Sequence, residues 1–451
     1  MGARPWWVQV LVVCGGALGI LLVALVNGYP LVYSDTGTYL RSAFTGFVPE
    51  DRPYWYGLFI QLTSLNGRSL WGVVVAQALL CSTLLWRCWR VFGDGRWWTF
   101  LLTVFVLAPI TGLGWYAGQL VADIFSVIGV LAAALLLCAK AGGGARAALA
   151  TVVVVACWVH LSNLLIVPLV SVAFLLALRR TLPAVRRARV VLVAATVLFA
   201  WCALPLANRA VSGQAHISRY SHVFLMSRLV ETGMLKTWLA EHCATDPVRL
   251  CLYRDSLPTT NKAFMWGEHS PLRTEGGAAA VQAEYAHIIN ATFAQPRYLL
   301  LHVQGSVRST AELLTLWRVA DELEGDFYRM DYSAPYGSIA GLVPHELPMY
   351  LRSAQNTGDG KLGLRTIDAI YRLVLGLALL CAVVLVAQRH HRQHALPVIV
   401  LGAATLVFGA WVCASLSTVD SRFMSRTAWL LPVVVAMYLW KVQGRSAQVK
   451  G

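Results

Sequence analysis

Ten stretches of this chain are apolar enough to enter a lipid bilayer, and nothing else in the sequence constrains its fold as strongly. They lie at about 6–26, 70–86, 97–113, 119–139, 147–160, 163–178, 189–207, 369–388, 395–415 and 427–440. A hydrocarbon core near 30 Å calls for roughly 17–25 helical residues. A series of such segments predicts an all-α polytopic membrane protein with about ten transmembrane helices. Composition agrees: of 451 residues, 57% are hydrophobic and 13% charged, where soluble globular chains run at about 45–50% and 25%. The fifth and sixth segments are short and joined only by His160-Leu161-Ser162-Asn163. They read as two helices meeting at one face, with a single kinked span as the competing reading.

The formal charge of +15 reports topology, so no nucleic-acid partner is implied. With ten spans and the N-terminus inside, sixteen Lys and Arg residues fall on the cytoplasmic side, among them Arg4, Arg180, Arg186 and Lys450. Five fall in the short outer loops, and Asp94 is the one acid of 22 on the cytoplasmic side. This is the asymmetry of the positive-inside rule. The first segment exceeds a signal-peptide core and Leu25-Val26-Asn27 offers no small-residue cleavage site, so it reads as an anchor. The expected location is the inner (plasma) membrane, multi-pass, with both termini cytoplasmic.

Three parts follow. Residues 1–207 hold seven helices and one long outer loop, 27–69; residues 208–365 form an extracytoplasmic insertion with 15 basic and 15 acidic residues; residues 366–451 return through three helices to a basic tail. The insertion, between helices 7 and 8, reads as mainly helical. Residues 279–294 are Ala-rich with apolar spacing, and Pro296 suits the first turn of a helix running to about Trp317. Leu299, Leu300 and Leu301 beside Arg297 and Tyr298 suggest that it lies partly against the membrane. Cys243 and Cys251 in the insertion could pair in an oxidising compartment.

P-loop, GxGxxG, HExxH and CxxC motifs are missing. Polar residues gather instead at the outer face. In the first outer loop, Ser34 or Asp35 would cap a short helix to about Phe44, and Pro53 would open another to about Leu62. Asp35 reads either as that cap or as a carboxylate held at the bilayer surface as a general base. Asp123 stands four residues into a span, at its outer end, where an acid is costly and usually functional. His160 at the junction of the fifth and sixth segments is a structural histidine or a substrate contact. Arg422, in Asp420-Ser421-Arg422-Phe423, has the planar fork that suits a phosphate, and Arg426 follows one turn later, with snorkelling to the interface as the plain alternative. Asp368 and Arg372, at i and i+4, are expected to pair with each other.

Together these residues resemble the GT-C class of membrane glycosyltransferases, including the aminoarabinose and protein O-mannosyl transferase branch. The resemblance rests on Asp35 with Tyr39, and on Asp51-Arg52-Pro53-Tyr54-Trp55 where the class has Lys/Arg-Pro-Pro. Asp123 matches an acid of the second outer loop, and Arg422-Phe423 an Arg-Tyr-like pair before the last helices. It covers roughly the first 130 residues. A single Asp35 replaces the usual acid pair and Tyr54 the second proline. The resemblance implies an enzyme that moves a sugar from a polyprenyl-phosphate donor to an acceptor hydroxyl on a glycan, lipid or protein, by one inverting displacement. Asp35 and Asp123 would be catalytic, and Arg52, Tyr39, Tyr54, His160 and Arg422 would contact substrate or phosphate. No cofactor is certain; a divalent cation stays open, although one carboxylate is a poor cage for it. The competing readings are a transporter or flippase for a lipid-linked substrate, an outer-face ligase or acyl-transfer enzyme using a histidine, and a non-catalytic scaffold.

Overall fold

The computed structural model of the chain describes residues 5–179, 187–323, 325–358 and 360–449. Arg4, Arg180, Arg186 and Lys450 lie outside the described residues. Among the described residues all regular structure is helical, apart from one isolated parallel bridge between Leu31 and Gln119. Each of the ten apolar segments coincides with a helix. Six helices are long and apolar enough to cross a membrane by length and composition: Trp6–Asn27, Trp71–Phe92, Arg187–Ser212, Leu364–Ala387, His391–Leu416 and Ser421–Gly444. Trp97–Ile110, Ala122–Cys138, Gly143–Val159 and Asn163–Arg179 are shorter, none above 17 residues.

Burial accounts for one of the short helices. Every side chain from Phe125 to Leu137 is buried, so that helix meets protein along its length and needs no full bilayer span of its own. By contrast, only 22% of the apolar stretch of Arg187–Ser212 and 28% of that of Leu364–Ala387 is buried. Those helices turn broad apolar faces outward.

Two boundaries differ from expectation. The third segment stops at Ile110, after Pro109, and restarts as Gly112–Ala117 with Thr111 as its cap. The fourth does not become an α-helix until Phe125. Leu31 donates to Gly118 at 2.8 Å and accepts from Leu120 at 2.9 Å, and this backbone tie to the loop after the first helix prevents helical pairing there.

Gly129 decides the topology of the fifth and sixth segments. A Cβ at Gly129 would stand 3.0 Å from Ala156 Cβ and 3.1 Å from Val167 Cγ2. In one continuous helix those residues would be about 16 Å apart along the axis, so the chain reverses at 160–162. Asn163 fastens the turn by donating to Ala156 O at 2.8 Å.

The chain forms two compact units. One comprises Met1–Ile217, Trp317–Gly409 and Met424–Gly451; the other comprises Ser218–Leu316 and Ala410–Phe423. The insertion expected as one body over 208–365 is therefore divided, because 317–365 is tied into the first unit by long-range polar contacts. Glu346, 1% exposed, accepts from Tyr29 Oη at 2.6 Å and from the Leu70 N–H at 2.8 Å. Gln355 pairs with both backbone groups of Val32. Asp368 does not pair with Arg372: its Oδ1 accepts the N–H groups of Val319 and Ala320 at 2.8 and 3.1 Å, while Arg372 donates to Trp317 O. Charge-assisted bonds to backbone donors, at about 1.5–3 kcal/mol, outweigh a helix-surface ion pair of about 0.2–0.5 kcal/mol.

Gly37 marks the tightest of these junctions. A Cβ there would lie 2.3 Å from the Ala334 carbonyl oxygen, a backbone atom with no rotamer to move. Gly37→Ala is expected to cost the roughly 1–3 kcal/mol of overpacking, read as a lower thermal midpoint in detergent.

In the second unit, helices Ser221–Glu231, Met234–His242, Ala278–Ala294 and Pro296–Leu313 enclose Met226, Trp238, Phe264, Tyr285 and Ile288. Pro296 opens its helix as expected, and Cys243 is disulfide-bonded to Cys251. His302 stacks on Phe293 at 4.1 Å between ring centres, and burial holds its pKa below the ordinary value. The unfolded chain takes up a proton near pH 6.5 that the fold resists. Stability is therefore expected to fall as pH drops through that range, and His302→Gln should flatten this part of the melting-temperature profile.

Candidate functional site

Asp35 stands immediately before helix Thr36–Thr45, yet its side chain makes no capping hydrogen bond. Its φ of −67° and ψ of −22° are already helical, whereas a capping residue is typically extended. Thr36 closes the turn instead, accepting from the Tyr33 N–H at 2.9 Å. The Asp35 carboxylate meets Arg52, with Nη2 2.6 Å from Oδ1. Arg52 also lies 3.4 Å from Asp51 Oδ2. Capping is therefore not what Asp35 does. Burial works against the Arg52 charge, but the carboxylates of Asp35 and Asp51 outweigh it and raise the guanidinium pKa. The Asp35 and Arg52 side chains stay 11% and 21% exposed.

Asp123 lies on the 3-10 turn Ala122–Ile124, at the mouth of the buried 125–138 helix. It is fully buried and pairs with Arg426, also fully buried, at 2.7 Å. The sequence left a phosphate contact and snorkelling to the interface both open for Arg426; the fold instead turns it inward, where it faces a fully buried acid. Its Nη1 is 2.6 Å from His160 Nε2 and its Nη2 donates to Ser162 Oγ at 3.2 Å. Nε2 also stands 3.5 Å from Asp123 Oδ1, and Nδ1 lies 2.9 Å from Ser162 Oγ; beside a guanidinium, which only donates, Nε2 is placed to accept. Both ring nitrogens are engaged. This weighs against His160 as the base of a ligase or acyl-transfer reaction, and it makes His160 a clamp on the ion pair.

Two buried tyrosines join helices Thr36–Thr45 and Tyr54–Thr63. Tyr39, 3% exposed, lies edge-on to Tyr56 at 4.7 Å. The Tyr56 hydroxyl donates to Gln77 Oε1 at 2.8 Å, and Gln77 donates in turn to Ala117 O and Gln119 O. Burial, then Tyr39, then Asp123 push the Tyr56 pKa up, so that hydroxyl stays protonated. Tyr39, expected at the substrate, is thus a buried support. Tyr54 meets Trp55 at 5.9 Å, while Trp55 packs on Trp158 at 4.9 Å and donates to Asn208. These contacts anchor helix Tyr54–Thr63 behind Arg52. Arg422 belongs to the second unit, where its N–H donates to Asp420 Oδ1 at 3.0 Å.

A divalent cation does not fit at Asp35. Both nearby carboxylates already face a guanidinium, and a metal would have to displace it or sit against its charge. Among the described residues no group of three or more His, Cys, Asp or Glu side chains could hold a metal ion. Sequence reasoning missed the role of Arg426 and the Tyr56–Gln77 link. An arginine inside an apolar stretch, in a chain that also buries an acid, is the signal that could have paired Arg426 with Asp123.

Comparison with protein-family models, with curated proteins and with solved structures returned no match to this chain.

Proposed function

We propose that this protein is a polytopic membrane glycosyltransferase resembling the GT-C class, using a polyprenyl-phosphate sugar at the outer face of the inner membrane. The ten apolar helices would span the bilayer with both termini cytoplasmic. Of the four short ones, Ala122–Cys138 would be carried by burial against its neighbours. Asp35 would accept the proton of an acceptor hydroxyl as that oxygen bonds to the anomeric carbon and the bond from that carbon to the phosphate oxygen breaks. Arg52 would meet the charge that develops on the departing polyprenyl phosphate. The Asp123–Arg426–His160 cluster would hold the outer ends of the central helices and, through Tyr56 and Tyr39, the floor beneath Asp35. Asp123, expected to be catalytic, is better suited to this positioning work, since it is fully buried and paired.

The observation that carries the reading is the Asp35 carboxylate itself: released from capping, held by a cation and left partly open. The test is transfer from a panel of radiolabelled polyprenyl-phosphate sugars by purified protein, wild type beside Asp35→Asn. Label leaving the lipid with wild type alone supports the proposal; no transfer from any donor by folded protein overturns it. The broken backbone at 110–112 and 118–124, beside a buried ion pair, favours a transporter as second reading. Movement of an intact lipid-linked sugar across vesicles, without transfer, would favour it.

A further inference from the structure

Helix Pro296–Leu313 has three faces. At about 3.6 residues per turn, Tyr298, Gly305, Ser309 and Leu313 fall on one side, and this side is the buried one: Tyr298 and Leu313 are fully buried, a Cβ on Gly305 would touch Thr232, and Ser309 accepts from the buried Arg228 at 2.6 Å. Arg297, Gln304, Arg308 and Glu312 form a second, polar side. Between the two runs an apolar stripe: Leu299 (46% exposed), Leu300 (57%), Val303 (54%) and Val307 (64%). Leu301, which the sequence grouped with its two neighbours, turns inward against the core of the unit.

What borders the stripe identifies its partner. Ser306, at the edge between the buried side and the stripe, is bonded to Ser415 at 2.6 Å and to Trp411 Nε1 at 2.9 Å. Both belong to the last turns of the apolar helix Arg389–Leu416, which are part of the same compact unit. Trp411 and Leu416 are themselves 43% and 41% exposed, so the outward apolar surface of that helix end continues into the stripe. Trp411 lies about 7–8 Å below the helix end along its axis, the depth at which interfacial helices bury their apolar face, about 5–10 Å into the headgroup and acyl boundary.

We propose that helix Pro296–Leu313 is a membrane-docking element that lies in the outer leaflet, with Leu299, Leu300, Val303 and Val307 among the acyl chains and Arg297 and Arg308 toward the headgroups. The occupant is phospholipid. The proposal depends on the membrane placement of Arg389–Leu416 and is independent of the reaction assigned to Asp35.

The test is site-specific photo-crosslinking of the full chain in nanodiscs of phosphatidylethanolamine and phosphatidylglycerol. The photoreactive residue p-benzoylphenylalanine would replace Val303, Val307 or, on the polar side, Arg308. Leu380, 60% exposed on Leu364–Ala387, calibrates the chemistry as a lipid-facing position. The expected result is a mass increase of one phospholipid at positions 303 and 307, at a yield matching position 380, with loss of that adduct at 308. Equal adducts at 303 and 308 would overturn the proposal. So would an adduct at 380 with none at 303 and 307, which would mean the stripe faces water, or crosslinks between two copies of the chain, which would mean it is a self-interface.

Discussion

Asp35→Asn is expected to lower sugar transfer by about 10²–10⁴-fold, the usual contribution of a positioned general base, with the melting profile close to wild type. Asparagine keeps the Oδ1 acceptor that faces Arg52 at 2.6 Å, so the loop geometry survives while the proton acceptor is lost. If Asp35 served only to hold Arg52, the same variant would transfer at nearly the wild-type rate. Arg52→Gln should also lose activity, by the stabilisation of the leaving phosphate. It also leaves Asp35 and Asp51 close together without a cation between them. A side-by-side rate measurement with a donor that works for wild type settles which carboxylate role holds.

Arg426→Met is expected to destabilise the protein by about 3–5 kcal/mol, because it removes the guanidinium 2.7 Å from the fully buried Asp123 carboxylate and leaves it the weaker His160 contact at 3.5 Å. Asp123→Leu should cost a comparable amount by stranding the guanidinium. The double variant Asp123→Leu with Arg426→Met should recover much of the loss, since a buried ion pair and a packed apolar pair often differ little in net stability. The check is thermal unfolding of all four proteins in the same detergent. Additive effects, with no recovery in the double variant, would mean that the two side chains matter through separate contacts.

The helices were legible because an apolar run long enough for a bilayer has few other folds open to it. Asp35 and Asp123 were legible because acids near a membrane face are expensive and so stand out. What escaped was pairing. Asp35 read equally well as a cap, since Asp is favoured before a helix; only the carboxylate's direction toward Arg52 separates the two roles. Arg426 read as a phosphate contact or a snorkelling arginine, because those roles and ion pairing all ask for the same residue at the same place. Asp368 and Arg372 had ideal spacing, but the spacing rule knows nothing of two backbone donors arriving from Val319 and Ala320. Likewise no local pattern announced that Glu346 would receive Tyr29 and Leu70, and so draw 317–365 into the first unit.

The Asp123–Arg426 pair joins residues 303 positions apart, and this has a consequence for synthesis. At about 5–20 residues per second, Asp123 waits some 15–60 s after leaving the ribosome before its partner is made. Throughout that interval Asp123 is without the guanidinium that faces it in the fold. A product halted before Arg426 would therefore hold its apolar helices but not the buried pair that fastens the 122–124 turn to the last helices.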